Sequence, residues 1–432
     1  MKINVDIVIV GSGAGGSTVG RELAISGKKV LIVEKGSSFS QNKLGTELNA
    51  FNFYDKHGLW SKSKEGVIYY RTIMAGGTTV VSCGNGVRSL ENEFKSLGID
   101  LTKEFLETER ELNIKPTPDK FIKKGTRRIM EASNRLGFDM KPMPKFIDFA
   151  KCVSCENCVL GCRANAKWTA LQYLEEAQRK GASFIKGITI TNVMISNGKA
   201  IGVEGCNPIG DKIKIFANII VLAAGGIGTP VILQNSEIKA GQKLFLDLFK
   251  VTIGLTKDVG LTKQPVMAVV NFNNGFILSP FIDTPIVLAS VIPKRHILKI
   301  TQRKHMLGIM VKIKDDCLGK VHKDGAIEKI ITLNDLSKLN KGVDFSKKIL
   351  IDAGVSSKTI VTTKVRGGHP GGTASIGEVI DHNLETEIKN LFVCDASVFP
   401  TSPGLPPIIT IIALSKRLAK YLNENYIYFS RN

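Results

Sequence analysis

Long apolar runs are missing from this 432-residue chain. No uninterrupted apolar stretch approaches the roughly 20 residues that a bilayer span requires, so no transmembrane helix is expected. Tryptophan occurs twice, histidine six times, and no tandem repeat or low-complexity tract appears. The composition is therefore not that of a fibrous or disordered protein. The start of the chain enters an apolar strand at Val5 to Val10, which leaves no room for a signal peptide. The cytoplasm is the expected compartment, and its cysteines should be reduced thiols. Acids are scarce beside bases, 39 against 59, for a formal net charge of +20. A lysine-rich surface explains that balance; so does docking to something acidic, such as an electron carrier, an anionic membrane or an anionic substrate. Peripheral membrane contact stays open. Nucleic acid is not expected, because the lysines are dispersed and no binding module is visible.

What is present begins with "DIVIVGSGAGGSTVGRELAISGKKVLIVEKG", which reads strand, glycine turn, helix, strand. The strands are dense in Val, Ile and Leu, as strands buried on both faces should be. Gly11, Gly13 and Gly16 form G-x-G-x-x-G between strand and helix. The first permits a tight turn, the second lets backbone approach a pyrophosphate, and the third lets the helix pack closely. Glu34 ends the second strand, where a carboxylate can accept ribose hydroxyls. Gly11, Gly13, Ala14, Gly15, Gly16, Glu34 and Lys35 are the candidate dinucleotide contacts. The position of this unit at the start of the chain, and the return of similar grammar in "KIFANIIVLAAGGIGTPVILQNS", favour FAD over NAD.

Further along, 101–140 is charged and helical in pattern, and "AKWTALQYLEEAQRKG" is helical. "SNGKA" marks a hairpin turn between short strands. Residues 262–320 alternate as strands do. "NLFVCDASVFPTSPGLPPIITIIALSKRLAKYL" gives a buried strand, a proline-rich loop and an amphipathic helix. The expected architecture is α/β: a Rossmann-like FAD-binding domain with a discontinuous α+β substrate domain. Its expected segments are 1–100, 186–260 and 361–432 for the FAD-binding domain, 101–185 for a helical cysteine-bearing segment, and 261–360 for the substrate domain. The stretch "VVNFNNGFILSPFIDTPIVLASVIP" is apolar enough for a lipid pocket, although buried sheet strands look the same, and the sheet is expected.

Four ordered blocks carry a resemblance: "YRTIMAGGTTVVSCGNGVR", "LAAGGIGTPVILQNS", "GGHPGGTASIG" and "VCDASVFPTSPGLPPIITIIALSKRLA". Together they resemble the glucose–methanol–choline (GMC) oxidoreductases over most of the chain. The resemblance implies a flavoenzyme of alcohol-to-carbonyl type. It implies that Gly76, Gly77 and Thr78 lie against the flavin and its pyrophosphate, and that Asp395, with Ala396 and Pro407, contacts the cofactor. No histidine stands in the 70–88 block, so FAD is expected without a covalent link. His369 in "GGHPGGT" matches the family's catalytic histidine, and a neutral imidazole near pH 7 suits removal of a hydroxyl proton. His57, His296, His305, His322 and His382 sit among charged or turn residues and are expected at the surface. One departure stands out. Where many members place Asn or a second His, this chain has Pro406, which offers no side-chain hydrogen bond. Either a side chain from 262–350 supplies that contact or the chemistry differs.

"CVSCENCVLGC" places Cys152, Cys155, Cys158 and Cys162 in C-x2-C-x2-C-x3-C, the spacing of the bacterial-ferredoxin run. An iron–sulfur cluster is expected, four-iron in preference to three-iron; zinc and unliganded thiols are the alternatives. Arg163 follows Cys162 where the ferredoxin run has proline, so Cys162 completes a four-iron cluster, or the fourth iron is absent or held elsewhere. Some GMC dehydrogenases resemble this chain in carrying such a segment, as a wire from flavin to an external acceptor. The leading expectation is an FAD-dependent dehydrogenase that oxidises an organic alcohol and passes electrons through the cluster to a carrier protein or quinone. A reductase fed by a ferredoxin-like donor, and an electron-transfer flavoprotein subunit, are the alternatives.

Overall fold

The computed structural model describes residues 2–55, 60–273 and 275–431. In chain order the principal elements are β1 (Lys2–Val10), α1 (Ala14–Ile25), β2 (Val30–Glu34), α2 (Thr102–Glu111), α3 (Lys124–Arg135) and α4 (Ala170–Arg179). Then come β3 (Ser183–Lys186), β4 (Thr189–Ser196), β5 (Lys199–Cys206), β6 (Lys212–Leu222) and α5 (Gly225–Asn235). The remainder holds β7 (Leu248–Leu255), β8 (Val269–Asn273), β9 (Phe276–Pro280), β10 (Met306–Ile313), α6 (Leu333–Asp352), β11 (Leu391–Val393) and α7 (Ile408–Glu424).

Two sheets organise these elements. The first runs β3-β2-β1-β6-β5-β4, with β11 also paired to the end of β6. Its β3, β2, β1, β6 and β11 are parallel, and β5 and β4 are an antiparallel hairpin on its edge. α1 packs against both α4 and α7 in one helical layer that shares a core with this parallel part, and β2 and the end of β1 are buried throughout, which matches their continuous Val/Ile runs. The hairpin turns at Asn197 and Gly198, both at positive φ, as "SNGKA" foretold.

The second sheet runs Ser61–Lys62, Ile68–Tyr69, Arg366–Gly367, β7, β10, β9, β8 and Lys141–Pro142, with Val361–Thr362 also on β7. It contains β7 and Arg366–Gly367, so segments on both sides of 261–360 build it. The apolar stretch after 268 forms β8, β9 and the short helix Pro285–Val291, all set in that sheet's core or beside it. Helix α6 covers one face.

A third, small core joins the two. Met74, Val80 and Val81 pack there with Leu160, Val287 and Val291. It fixes the cysteine-bearing loop against the stretch 74–81.

Candidate active site

The carboxyl edge of the parallel sheet gathers the predicted cofactor residues. Gly11 takes φ +105, a backbone state open to glycine, and carries the chain from β1 over the end of β6. A Cβ on Gly15 would stand 1.9 Å from the Cys394 carbonyl oxygen, so α1 packs backbone to backbone against the segment after β11. Gly13 is different: a Cβ there would meet no protein atom within 4 Å. No side chain caps α1, and no acid occupies its first turn. Free amide hydrogens therefore face open space, which suits a pyrophosphate.

Ser12 links the three expected pieces of the cradle. Its hydroxyl donates to Glu34 at 2.7 Å and accepts from the Gly76 amide at 3.2 Å, while its own amide donates to Glu34 at 2.9 Å. Burial raises the Glu34 carboxyl above its ordinary range, opposed by hydrogen bonds from Gly36 and Ser12. Gly77 lies against Gly13, and Thr78 is exposed beside it. Lys35 is exposed. Asp395 is buried and occupied: it accepts from the Gly225 amide at 2.8 Å, the Thr229 hydroxyl at 2.6 Å and the Ser397 amide at 2.7 Å. It staples the start of α5 to the segment after β11. Beside it the buried Ser397 hydroxyl has no partner among the described residues, and neither has the Thr72 hydroxyl near Thr78. Ala396 is buried, and Pro407 precedes α7. An uncapped helix start, a cradle without side chains and orphaned buried hydroxyls fit a bound dinucleotide.

Past Arg366–Gly367 the chain presents His369, whose side chain is 24% exposed. Its Nδ1 lies 2.8 Å from Asp247 Oδ2 and 3.2 Å from Lys312 Nζ. One nitrogen cannot donate to Asp247 and accept from Lys312 together, and the shorter contact favours Nδ1–H donating to Asp247. That tautomer leaves the Nε2 lone pair free, with no hydrogen bond among the described residues. Asp247 is itself fully buried; its other oxygen accepts from the Ser402 hydroxyl at 2.7 Å and the Gly404 amide at 2.9 Å. Ser402 also meets Asp315, which pairs with the fully buried Lys329 at 2.7 Å. Burial and Lys312 lower the His369 pKa from its ordinary value, and Asp247 works against them. Burial also lowers Lys312. Pro406 is buried, and Lys312, from within 262–350, is a polar neighbour of His369 that the sequence did not single out.

Cys152, Cys155, Cys158 and Cys162 all line one cavity, together with Lys167. Ser154, Glu156 and Gly161 take positive φ, so the loop winds between successive cysteines. Among the described residues no group of three or more His, Cys, Asp or Glu is set to hold a metal ion as the side chains stand. Burial raises the Cys152 and Cys155 thiols. The loop is bound to the stretch 80–85. The buried Lys167 ammonium donates to the carbonyls of Val80 (2.8 Å), Ser82 (2.5 Å) and Cys158 (3.2 Å). Buried Lys145 donates to the Cys83 carbonyl and to Asn85, and burial brings it down to about 8. Tyr54 donates to the Val159 carbonyl at 2.7 Å.

Sequence reasoning missed Ser12, Asp247, Lys312, Lys145 and Lys167. The visible signal was a lone charge inside an apolar run, as in "KLFLDLFKV" and "LGIMVKI". Of the other histidines, His382 is exposed and His296 and His322 are half-buried. His305 is half-buried too, and its buried Nδ1 has no partner among the described residues. His57 lies outside the described residues.

Known proteins match this arrangement. Residues 5–260 and 323–415 match the two profiles of the GMC oxidoreductase family. An uncharacterized protein of Methanocaldococcus jannaschii is 34% identical over 96% of this chain and 99% of its own length. An Arabidopsis thaliana long-chain-alcohol oxidase is 24% identical over 95% of this chain and 66% of its own. Among solved structures, pyridoxine 4-oxidase from Mesorbium loti superposes with a TM-score of 0.73 at 16% identity, covering 98% of this chain and 99% of that one. A formate oxidase superposes with a TM-score of 0.75 at 16% identity, covering 99% of each. The chain therefore belongs to the GMC oxidoreductase family and has its FAD-binding α/β fold.

Proposed function

We propose that this chain is an FAD-dependent dehydrogenase of organic alcohols, with His369 as the base and an iron–sulfur cluster at Cys152, Cys155, Cys158 and Cys162. The observation that carries the first half is the His369–Asp247 pair. Its geometry leaves Nε2 without a hydrogen bond among the described residues, and burial and Lys312 favour the neutral ring. Bound FAD supplies a hydride acceptor. Residues Gly11 to Gly16, Glu34 and Gly76 to Thr78 would hold it, on the fit of the cradle. The alcohol loses a hydride from carbon and a proton from oxygen. His369 takes the proton, Asp247 holds the ring and balances the resulting imidazolium, and the carbonyl product leaves. The long-chain-alcohol oxidases of Arabidopsis suggest an aliphatic alcohol as substrate.

The cluster reading rests on the cysteine spacing, on the shared cavity and on Lys167, whose ammonium ties that loop to residues 80–82. A wire fits a one-electron partner, a carrier protein or a quinone, and not oxygen, although the relatives with a stated activity are oxidases. The buried Pro406 favours one further reading, a reductase fed by an external donor, because the second polar side chain of alcohol oxidation is missing there. Anaerobic purification with visible spectra and assays of flavin, iron and sulfide tests the proposal. Flavin with about four irons and four sulfides per chain is expected. Flavin without iron removes the wire, and zinc in its place makes the segment structural. Hydrogen peroxide formed stoichiometrically with product would make the enzyme an oxidase.

A further inference from the structure

We infer that the surface over the cysteine loop is the docking site for an acidic one-electron carrier protein; this rests on the cluster reading above and says where its partner binds. Val153 stands between Cys152 and Cys155 with 69% of its surface exposed, and Cys155 is exposed as well. Beside the cysteine cavity is an open cleft lined by Lys123, Lys124 and Lys263, and Ser154 lines both. The loop and the cleft are thus one continuous face with a single residue between them.

The charge of that face is unbalanced in one direction. Asp258 already has Arg128 on both oxygens and Lys124 on one. Asp119 is paired with Arg127, Asp148 with Lys151, and Glu156 with Arg303. Glu156 also accepts from the Lys263 backbone amide, which fixes the lysine next to the cysteine loop. Lys123, Lys263 and Arg163 have no acid among the described residues, and Lys124 keeps 67% of its side chain exposed. An exposed apolar residue inside a basic rim is the complement of an acidic protein whose redox centre lies under an apolar surface. Such a rim accelerates encounter and orients the partner, and salt weakens it. The short path from Cys155 to the surface serves electron exchange, which does not require the carrier to reach the flavin.

The test uses the anaerobically purified full chain and an acidic bacterial two-cluster ferredoxin as the probe, with binding followed by calorimetry at rising salt. The wild type should bind, and its affinity should fall as salt rises. The triple variant Lys123→Glu, Lys124→Glu, Lys263→Glu should lose about ten-fold or more in affinity. Lys103→Glu with Lys186→Glu, on α2 and β3, should bind as the wild type does. Flavin, iron and sulfide are assayed on every sample, together with the thermal midpoint. No binding by the wild type, or equal binding by the triple variant, overturns the inference. So does charge-dependent binding to phosphatidylglycerol vesicles with none to the ferredoxin. A wild type without iron that still binds in a charge-dependent way keeps the docking face and sinks the wire, so the two failures read differently.

Discussion

The imidazole of His369 has an acid and a base on the same nitrogen. Asp247 stabilises the protonated ring, Lys312 and burial destabilise it, and the balance falls to the neutral form. Removing His369 with Ala should slow flavin reduction by an alcohol about 10²- to 10⁴-fold, with FAD still bound, in anaerobic stopped-flow. Asp247→Asn should also slow it, because an amide can accept the Nδ1–H but balances no positive charge. Lys312→Met removes a cation, so the His369 pKa should rise and the acid limb of the rate profile should move to higher pH. A limb that stays in place would show that Lys312 has no electrostatic hold on the ring. Away from the ring, Arg366 is fully buried, with Asp283 on both its terminal nitrogens at 2.7 and 2.9 Å. Asp283→Asn leaves that guanidinium short of its counter-charge and should cost about 3–5 kcal/mol in urea unfolding.

At the level of the elements, the first β-α-β unit separates two uses of glycine that the motif merges. Gly15→Ala drives a methyl into the Cys394 carbonyl, which cannot swing aside because β11 is hydrogen-bonded to β6. It should cost about 1–3 kcal/mol in stability and lower the melting temperature of the cofactor-free chain. Gly13→Ala meets open space at φ −70, so the cofactor-free chain should melt as the wild type does, while FAD affinity falls. The pair of melts and flavin titrations checks both. This unit was legible almost whole, since glycine spacing, apolar strands and a terminal acid are all local. Asp395 was legible as a residue, yet its carboxylate proves to be engaged by Gly225, Thr229 and Ser397. A residue list cannot show that bonding.

Across the whole molecule, sheets and cysteine loop are joined by buried cations. Lys167 donates to the carbonyls of Val80 and Ser82 and, together with the Gly161 amide, to that of Cys158 in the cysteine loop. Lys167→Met strands the Val80 and Ser82 carbonyls, at about 1–3 kcal/mol. It should also free the loop, so the four cysteines of the cofactor-free chain should alkylate faster by mass spectrometry. Unchanged rates would mean that the small core around Leu160 holds the loop by itself. By itself the sequence determined the parallel sheet, the glycine cradle, the place of His369 in its glycine-rich turn and the four-cysteine run, because each depends on spacing within one segment. Only the tertiary structure decided that β7 and Arg366–Gly367 build the second sheet, that Asp247 and Lys312 meet at His369, and that the cysteine loop lies on residues 80–82. Those contacts join residues 57 to 122 positions apart, and no local pattern encodes which distant charge a half-buried ring will find.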